Sequence, residues 1–423
     1  AALMGTLQVG LLDPLPLLAR SIGTVILPVI HTSADGITGW IKSLGVPPLT
    51  AAVQFLYDLL APLLLTFRKM HFHTILTIGS FFIAIIVLNR VFTRFWCRGI
   101  CPLGAMLGVF SRFALFGLEK KESACNHCNE CLLHCQGADN PDIGTVWRQS
   151  ECHLCLNCQG VCPTQALTFK FFPSQEVSKS NPEGTAKIDI SRRKVVASLA
   201  GGAALYPLFR SGDAFSASTN PYLIRPPGSV SESDFLARCI RCGQCMRVCP
   251  NNALHPTFME SGLEGIWSPL LIARIGYCEP SCTLCGQVCP TGAILELTLR
   301  EKVGDRETPP NRIGTAFIDR GRCLPWAMAR PCIVCEEWCP TSPKSIYLRE
   351  ETVYNSRGEA VTVKQPNVDP EHCTGCGACE YACPVEDKAA IYITSVGESR
   401  SLENQMLLKK KKEIPQNNLR GKI

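Results

Sequence analysis

The sequence predicts an α+β chain in which membrane-associated helices are followed by two cysteine-crowded modules of short elements. Three observations carry that expectation. Residues 1–118 are apolar and hold only two cysteines, Cys97 and Cys101. The other 24 of the 26 cysteines fall into six sets of four, two sets within 119–172 and four within 212–423. From Ser211 onward the chain is rich in Cys, Pro and Gly, with short apolar pieces and no long periodic helix. Residues 173–211 form the link between the two modules.

In chain order, residues 1–70 are apolar but punctuated. Asp13, Pro14, Pro16, Pro28, Pro47, Pro48, Asp58 and Pro62 interrupt every run before the ~20 residues a spanning helix needs. They read as short helices, either at a membrane surface, inside a membrane complex, or in an ordinary core. The chain begins Ala-Ala-Leu-Met, so a processed signal or a further helix is expected upstream. Residues 74–93 are the best transmembrane candidate, with Arg90, Arg94, Arg98, Arg112, Lys120 and Lys121 at or after their end. That positive flank predicts a cytoplasmic C-terminal end. The apolar stretch 103–118 carries Arg112 in its middle and reads as interfacial.

Residues 173–191 are polar and lead into Ser191-Arg192-Arg193-Lys194, followed by an apolar run from Val195 to Phe209. This segment resembles a twin-arginine export signal in an internal position. It either crosses the membrane or forms a buried interdomain helix, and Pro207 counts against crossing. The Lys409–Lys412 run reads as a solvated tail, with a docking arm for an acidic partner as the sharper alternative.

The first two cysteine sets are Cys125-x2-Cys128-x2-Cys131-x3-Cys135 and Cys152-x2-Cys155-x2-Cys158-x3-Cys162-Pro163. Disulfide frameworks do not crowd cysteines at every third position, and zinc sites separate their CxxC pairs by a dozen or more residues. The spacing is that of two-cluster 4Fe–4S proteins, in which three cysteines wrap one cubane and the fourth ligates the other. Cys125, Cys128, Cys131 and Cys162 are expected to hold one cluster. Cys152, Cys155, Cys158 and Cys135 are expected to hold its partner. Gln136 replaces the proline that often follows the first set.

Four further sets follow: Cys239-x2-Cys242-x2-Cys245-x3-Cys249, Cys278-x3-Cys282-x2-Cys285-x3-Cys289, Cys323-x8-Cys332-x2-Cys335-x3-Cys339 and Cys373-x2-Cys376-x2-Cys379-x3-Cys383. Each ends on Cys-Pro. Six 4Fe–4S clusters are therefore expected. The formal charge of +6 does not argue for nucleic acid, because a cluster with four thiolates carries about −2 and six bring about −12. No arginine-rich, aromatic-interleaved stretch argues for it either.

Residues 238–395 resemble the four-cluster ferredoxins of the periplasmic nitrate reductase system, the NapG type. The resemblance implies nested pairing of the motifs. It would group Cys239, Cys242, Cys245 with Cys383; Cys373, Cys376, Cys379 with Cys249; Cys278, Cys282, Cys285 with Cys339; and Cys323, Cys332, Cys335 with Cys289. Residues 74–170 resemble the NapH type and the NosR-like polyferredoxins, through Trp96-Cys97-Arg98-Gly99-Ile100-Cys101-Pro102-Leu103-Gly104-Ala105 ahead of a two-cluster module. Together these resemblances imply a fused, membrane-associated polyferredoxin.

Cys97 and Cys101 belong to no set. They read as a redox-active dithiol, a metal pair with outside ligands, or a structural turn with buried thiols. His71 and His73 precede the apolar segment and read as solvated interfacial residues or as a quinone or haem site. No nucleophile–base pair, phosphate loop or flavin motif marks a substrate site. The expected function is that of an electron-transfer subunit of a respiratory oxidoreductase at the cytoplasmic membrane. Its expected partners are membrane lipid and other redox subunits, whether cytochrome, quinone-binding or molybdoenzyme-type. The four-cluster domain is expected outside the cytoplasm, and the side of the two-cluster module is open. The rival expectation is a reductase for metallocentre assembly.

Overall fold

The computed structural model describes residues 10–64, 70–92, 94–111, 115–126, 128, 130–135, 152, 154–172, 220–305 and 307–405. The linker 173–211 with its Val195–Phe209 run and the Lys409–Lys412 tail lie outside the described residues. Contacts divide the chain into two units, one of Gln8–Leu18 with Thr77–Leu208, the other of Ala19–Leu76 with Phe209–Ile423.

The prolines near the start do not cut the chain into short helices. Pro14–Ser43 is helical over 30 residues and is long and apolar enough to cross a membrane. Pro16 sits in the first turn, where its missing N–H has no intrahelical partner in any case. Pro28 follows a π-turn over Ile22–Ile26, in which the Leu27 N–H donates to the Ile22 carbonyl. The widened turn absorbs the bond that Pro28 cannot make. The hydroxyls of Thr24 and Thr32 donate to the carbonyls of Arg20 and Pro28, both at 2.9 Å.

The segment favoured from sequence, 74–93, forms a shorter helix, Ile75–Val91, of 17 residues. At ~1.5 Å per residue it covers about 26 Å, short of a ~30 Å hydrocarbon layer. Arg94, with φ of 59°, turns the chain out of the helix. Stretch 103–118 divides into helix Pro102–Ser111 and strand β1 (Phe116–Lys120).

In the first unit β1 pairs antiparallel with β2 (Leu167–Phe171), register Leu118↔Phe169 and Lys120↔Leu167. Phe116 packs on Phe171 with ring centroids 5.0 Å apart. This pairing closes the segment holding the two-cluster motifs. Leu17, Ile85, Trp96 and Cys101 form a separate small core.

The second unit repeats one plan. Each cysteine motif carries a short helix: Gln244–Arg247, Leu284–Gln287, Val334–Glu337 and Ala378–Ala382. Strand β3 (Leu254–Pro256) leaves the first motif and pairs antiparallel with β4 (Pro269–Leu271), which enters the second. An isolated bridge, Ser229↔Ile294, joins the entry of the first motif to the exit of the second. Strand β5 (Thr315–Ile318) enters the third motif and β6 (Ile346–Tyr354) leaves it. Strand β7 (Ala360–Val368) enters the fourth and β8 (Ile391–Thr394) leaves it. The pairs are β5 with β8 and β6 with β7. The core between them is Ile224, Met246, Ile313, Ile346, Ile391 and Ile393 together with cysteine side chains, which stand where a small domain would otherwise place apolar residues.

One buried ionic network ties the ends of this unit together. Arg225, 1% exposed, grips the Glu232 carboxylate with Nε at 3.1 Å and Nη2 at 2.6 Å. Its Nη1 reaches Ser268 Oγ at 2.8 Å and the Pro269 carbonyl at 2.7 Å. Arg400 donates to Glu232 and Glu398. Burial alone would push the Glu232 carboxyl up; the two guanidiniums outweigh it and hold it at about 2. Glu232→Gln strands Arg225 and is expected to cost about 3–5 kcal/mol in anaerobic urea unfolding. Because the carboxyl is depressed, its contribution is complete above ~4.3 and lost as pH falls through about 2. The variant should lack that acid-dependent arm. An unchanged urea midpoint would contradict the network's role.

Candidate iron–sulfur sites

Three cavities are each ringed by four cysteines. The first is lined by Cys323, Cys332, Cys335 and Cys383. The second is lined by Cys339, Cys373, Cys376 and Cys379, and the third by Cys239, Cys242, Cys245 and Cys289. The remaining four also meet, since Cys278, Cys282 and Cys249 are the cysteine charges acting on Cys285. Along the fold these become site I (Cys239, Cys242, Cys245, Cys289), site II (Cys278, Cys282, Cys285, Cys249), site III (Cys373, Cys376, Cys379, Cys339) and site IV (Cys323, Cys332, Cys335, Cys383).

This grouping corrects the nested pairing. Cys383 does not join Cys239, Cys242 and Cys245, nor Cys249 join Cys373, Cys376 and Cys379; instead Cys339 joins Cys373, Cys376 and Cys379, and Cys289 joins Cys239, Cys242 and Cys245. The strands give the reason. The first motif is hydrogen-bonded at both ends to the second, and the third at both ends to the fourth. Each fourth cysteine therefore crosses to the neighbouring motif in sequence. Sites II and III adjoin, because the Cys278 N–H donates to the Cys376 carbonyl at 2.8 Å. The four sites run I–II–III–IV.

The donor set suits clusters. The cysteines ring a space, four to each of three cavities, instead of meeting at a point. Burial pushes the thiols of Cys245 and Cys379 well up, and neighbouring cysteines add to it. Burial likewise sends Cys285 and Cys335 to about 12. Four buried thiolates need a compensating positive charge, which the iron of a bound cluster would supply. Backbone N–H groups already aim at the sulfurs: Ala253 to Cys249 at 3.3 Å, Ile294 to Cys289 at 3.4 Å and Ala316 to Cys373 at 3.4 Å.

Three threonines went unnoticed in the sequence. Thr164, Thr291 and Thr341 each follow a Cys-Pro pair, with Oγ1 at 3.6, 3.8 and 3.3 Å from the sulfurs of Cys162, Cys289 and Cys339. Burial pushes these thiols up, but the hydroxyl and the backbone N–H groups outweigh it and bring all three below the ordinary cysteine value. The signal was the recurring Cys-Pro-Thr. Lys302, also unremarked, donates from Nζ to the carbonyls of Glu279 and Cys282 and fixes the stretched loop of site II.

In the two-cluster module, burial raises the Cys158 thiol to about 11, and Cys152, Cys135 and Cys155 add to it. These are the four residues expected to share a site. Cys125 and Cys128 precede helix Glu130–Leu133, and Cys131 lies within it. Cys97 is exposed and Cys101 buried, and both thiols are free. Cys97 lies within a π-turn over Trp96–Ile100, and Cys101 follows it, its N–H donating to the Trp96 carbonyl. The Gly104 N–H donates to Cys101 Sγ at 3.3 Å, and Cys101 packs with Leu17, Ile85 and Trp96. His71 and His73 are exposed. The His71 carbonyl accepts from Asn252 Nδ2 at 2.9 Å, and the His73 ring lies 5.4 Å from that of His255.

Comparison with known proteins finds 4Fe–4S binding families in this chain. A 4Fe–4S binding domain family matches residues 236–255 and 366–386, around the first and fourth motifs. A second 4Fe–4S binding domain family matches 74–121 and 285–306. Rings of cysteines on paired strands together with these matches define an iron–sulfur polyferredoxin. The ferredoxin-type protein NapG of Escherichia coli K12 is 36% identical over 171 residues, covering 39% of this chain and 68% of the relative. NapG of Haemophilus influenzae is 36% identical over 172 residues, and there the chain spans 57% of the relative's length. The methylamine utilization ferredoxin-type protein MauM of Methylorubrum extorquens is 35% identical over 180 residues, covering 40% of this chain and 71% of the relative. The chain belongs to the NapG/MauM family of ferredoxin-type proteins. No solved structure matches it.

Proposed function

We propose that this chain is an electron-transfer subunit of a membrane-bound respiratory oxidoreductase, relaying electrons through six 4Fe–4S clusters between a quinone or cytochrome partner and another redox subunit. The observation that carries this reading is the unbroken row of sites I–II–III–IV, joined at its middle by the Cys278–Cys376 backbone bond. When bound, each cluster supplies one-electron redox chemistry. The 24 motif cysteines hold the clusters, the last cysteine of each motif serving its neighbour. The isoleucines and prolines lining the cavities keep water out, and the N–H groups and Cys-Pro-Thr hydroxyls stabilise negative charge on sulfur.

Membrane association has its own support. Helices Leu27–Ser43 and Pro47–Leu64 form a hairpin in which Tyr57 Oη donates to Asp35 Oδ1 at 2.8 Å. His31 Nδ1 lies 3.3 Å from Asp35 Oδ2. Polar groups thus pair within the hairpin while Ile37, Trp40, Phe55, Leu56 and Leu59 stay exposed. An apolar exterior around internally paired polar groups suits lipid. The NapH-like reading of residues 74–170, with a fusion to a NapG-like domain, is part of the same proposal.

The test is anaerobic purification from membranes with iron analysis and identification of copurifying subunits. About 24 iron per chain with a haem or molybdenum subunit is expected. Far fewer iron atoms would overturn the six-cluster assignment. Full iron with no stable partner would turn the reading toward a reductase for metallocentre assembly.

A further inference from the structure

The row of sites ends at site I, and buried positive charge gathers there. Arg20, on the long N-terminal helix, is completely buried. Its Nη1 donates to the Arg241 carbonyl at 3.1 Å, and its guanidinium lies 4.2 Å from the centroid of the Trp267 ring. Its Nε and Nη2 have no hydrogen-bond partner. Arg241 is 1% exposed and donates to the Glu264 carbonyl; the Glu264 carboxylate is the acid whose charge acts on it. Arg225 lies nearby, but Glu232 already neutralises it. Glu264 therefore serves Arg241, and among the described residues no carboxylate bonds or pairs with Arg20. The negative groups whose charge acts on Arg20 are Cys242 and Cys239, ligands of site I.

An uncompensated buried guanidinium is strongly destabilising unless a negative group stands close to it. A thiolate-ligated cluster provides that group. The helix is seated directly on the site I loop. A Cβ at Gly243, next to Cys242, would lie 3.4 Å from Thr24 Cγ2 and 3.7 Å from Arg20 Cα.

Resting on the six-cluster reading, we propose that Arg20 is the fixed counter-charge of the site I cluster and raises its reduction potential, so that the N-terminal helix sets the potential at that end of the row. Reduction adds one electron to the cluster and no proton need follow. A fixed cation beside it favours the reduced form, and removing the cation shifts the equilibrium toward the oxidised form.

The experiment is an EPR-monitored redox titration of the purified full chain, with iron counted in each sample. The site I signal is identified as the one altered in Cys242→Ser. Arg20→Met is expected to shift the reduced-to-oxidised ratio of site I at least tenfold, ~59 mV for one electron. The other clusters should keep their midpoints. Arg20→Lys, which keeps the charge, should stay within the tenfold margin, and the exposed Arg300→Met should shift nothing. Full iron with an unmoved site I midpoint in Arg20→Met overturns the inference while leaving the cluster reading intact. Equal shifts in Arg20→Met and Arg20→Lys also overturn it, since packing on Trp267 would then be the cause. Should Arg20→Met lose the site I iron, Arg20→Lys decides alone: retained iron and midpoint support the counter-charge, and loss of either refutes it. A wild-type chain far short of ~24 iron fails the underlying reading instead.

Discussion

Replacing Cys383 by serine is expected to damage the cluster held by Cys323, Cys332 and Cys335 and to leave the one held by Cys239, Cys242 and Cys245 intact. Cys383 lines the same cavity as the first three, while the site I cavity is closed by Cys289. The EPR spectrum of Cys383→Ser should therefore match that of Cys332→Ser and differ from that of Cys242→Ser. Cys289→Ser should do the reverse. The loss is large in either case, up to about four iron atoms per chain if serine fails to ligate. Should Cys383→Ser reproduce the Cys242→Ser spectrum, the motifs pair in nested order and the consecutive grouping is wrong.

Gly375→Ala is expected to disrupt site III. Gly375 lies between Thr374 and Cys376 with φ of 72°, and a Cβ there would stand 2.6 Å from the backbone N, C and O of Gly314. The loop of the fourth motif rests on the backbone leading into β5, held by the Ile313 N–H on the Thr374 carbonyl at 3.0 Å. Backbone cannot yield as a flexible side chain does, so the left-handed strain of about 1–3 kcal/mol adds to a clash. Gly358, at the tip of the β6–β7 hairpin, shares the positive φ of 80° but has nothing within 4 Å. Gly358→Ala should cost only about 1 kcal/mol and keep full iron. Equal thermal stability and equal iron in the two variants would show that the close approach to Gly314 is unimportant.

The cysteine sets are legible because their close local spacing stands in the sequence itself. Their grouping is not. Which fourth cysteine serves which site depends on strand pairings such as β5 with β8, and those strands are four residues long with little periodicity to announce them. The proline-rich start misled for a related reason. Pro28 reads as a breaker, yet one π-turn before it keeps the helix continuous, and a π-turn has no composition of its own. Ile75–Val91 drew attention by its unbroken apolarity, which reports burial or lipid equally and carries no length requirement. The buried arginines left no trace at all. Arg20 and Arg241 are 221 positions apart, and only the folded chain reveals that they share a site.

The consecutive grouping also bears on the order in which the chain can be filled. All eight ligands of sites I and II lie between Cys239 and Cys289, whereas a nested arrangement would leave the first site incomplete until Cys383, 383 − 289 = 94 residues later. A chain growing from its N-terminal end therefore presents one complete pair of donor sets before any ligand of the next has been made. On the proposed six-cluster reading, maturation can proceed two clusters at a time, and a stalled or truncated chain that stops short of Cys323 carries whole donor sets instead of half-built ones.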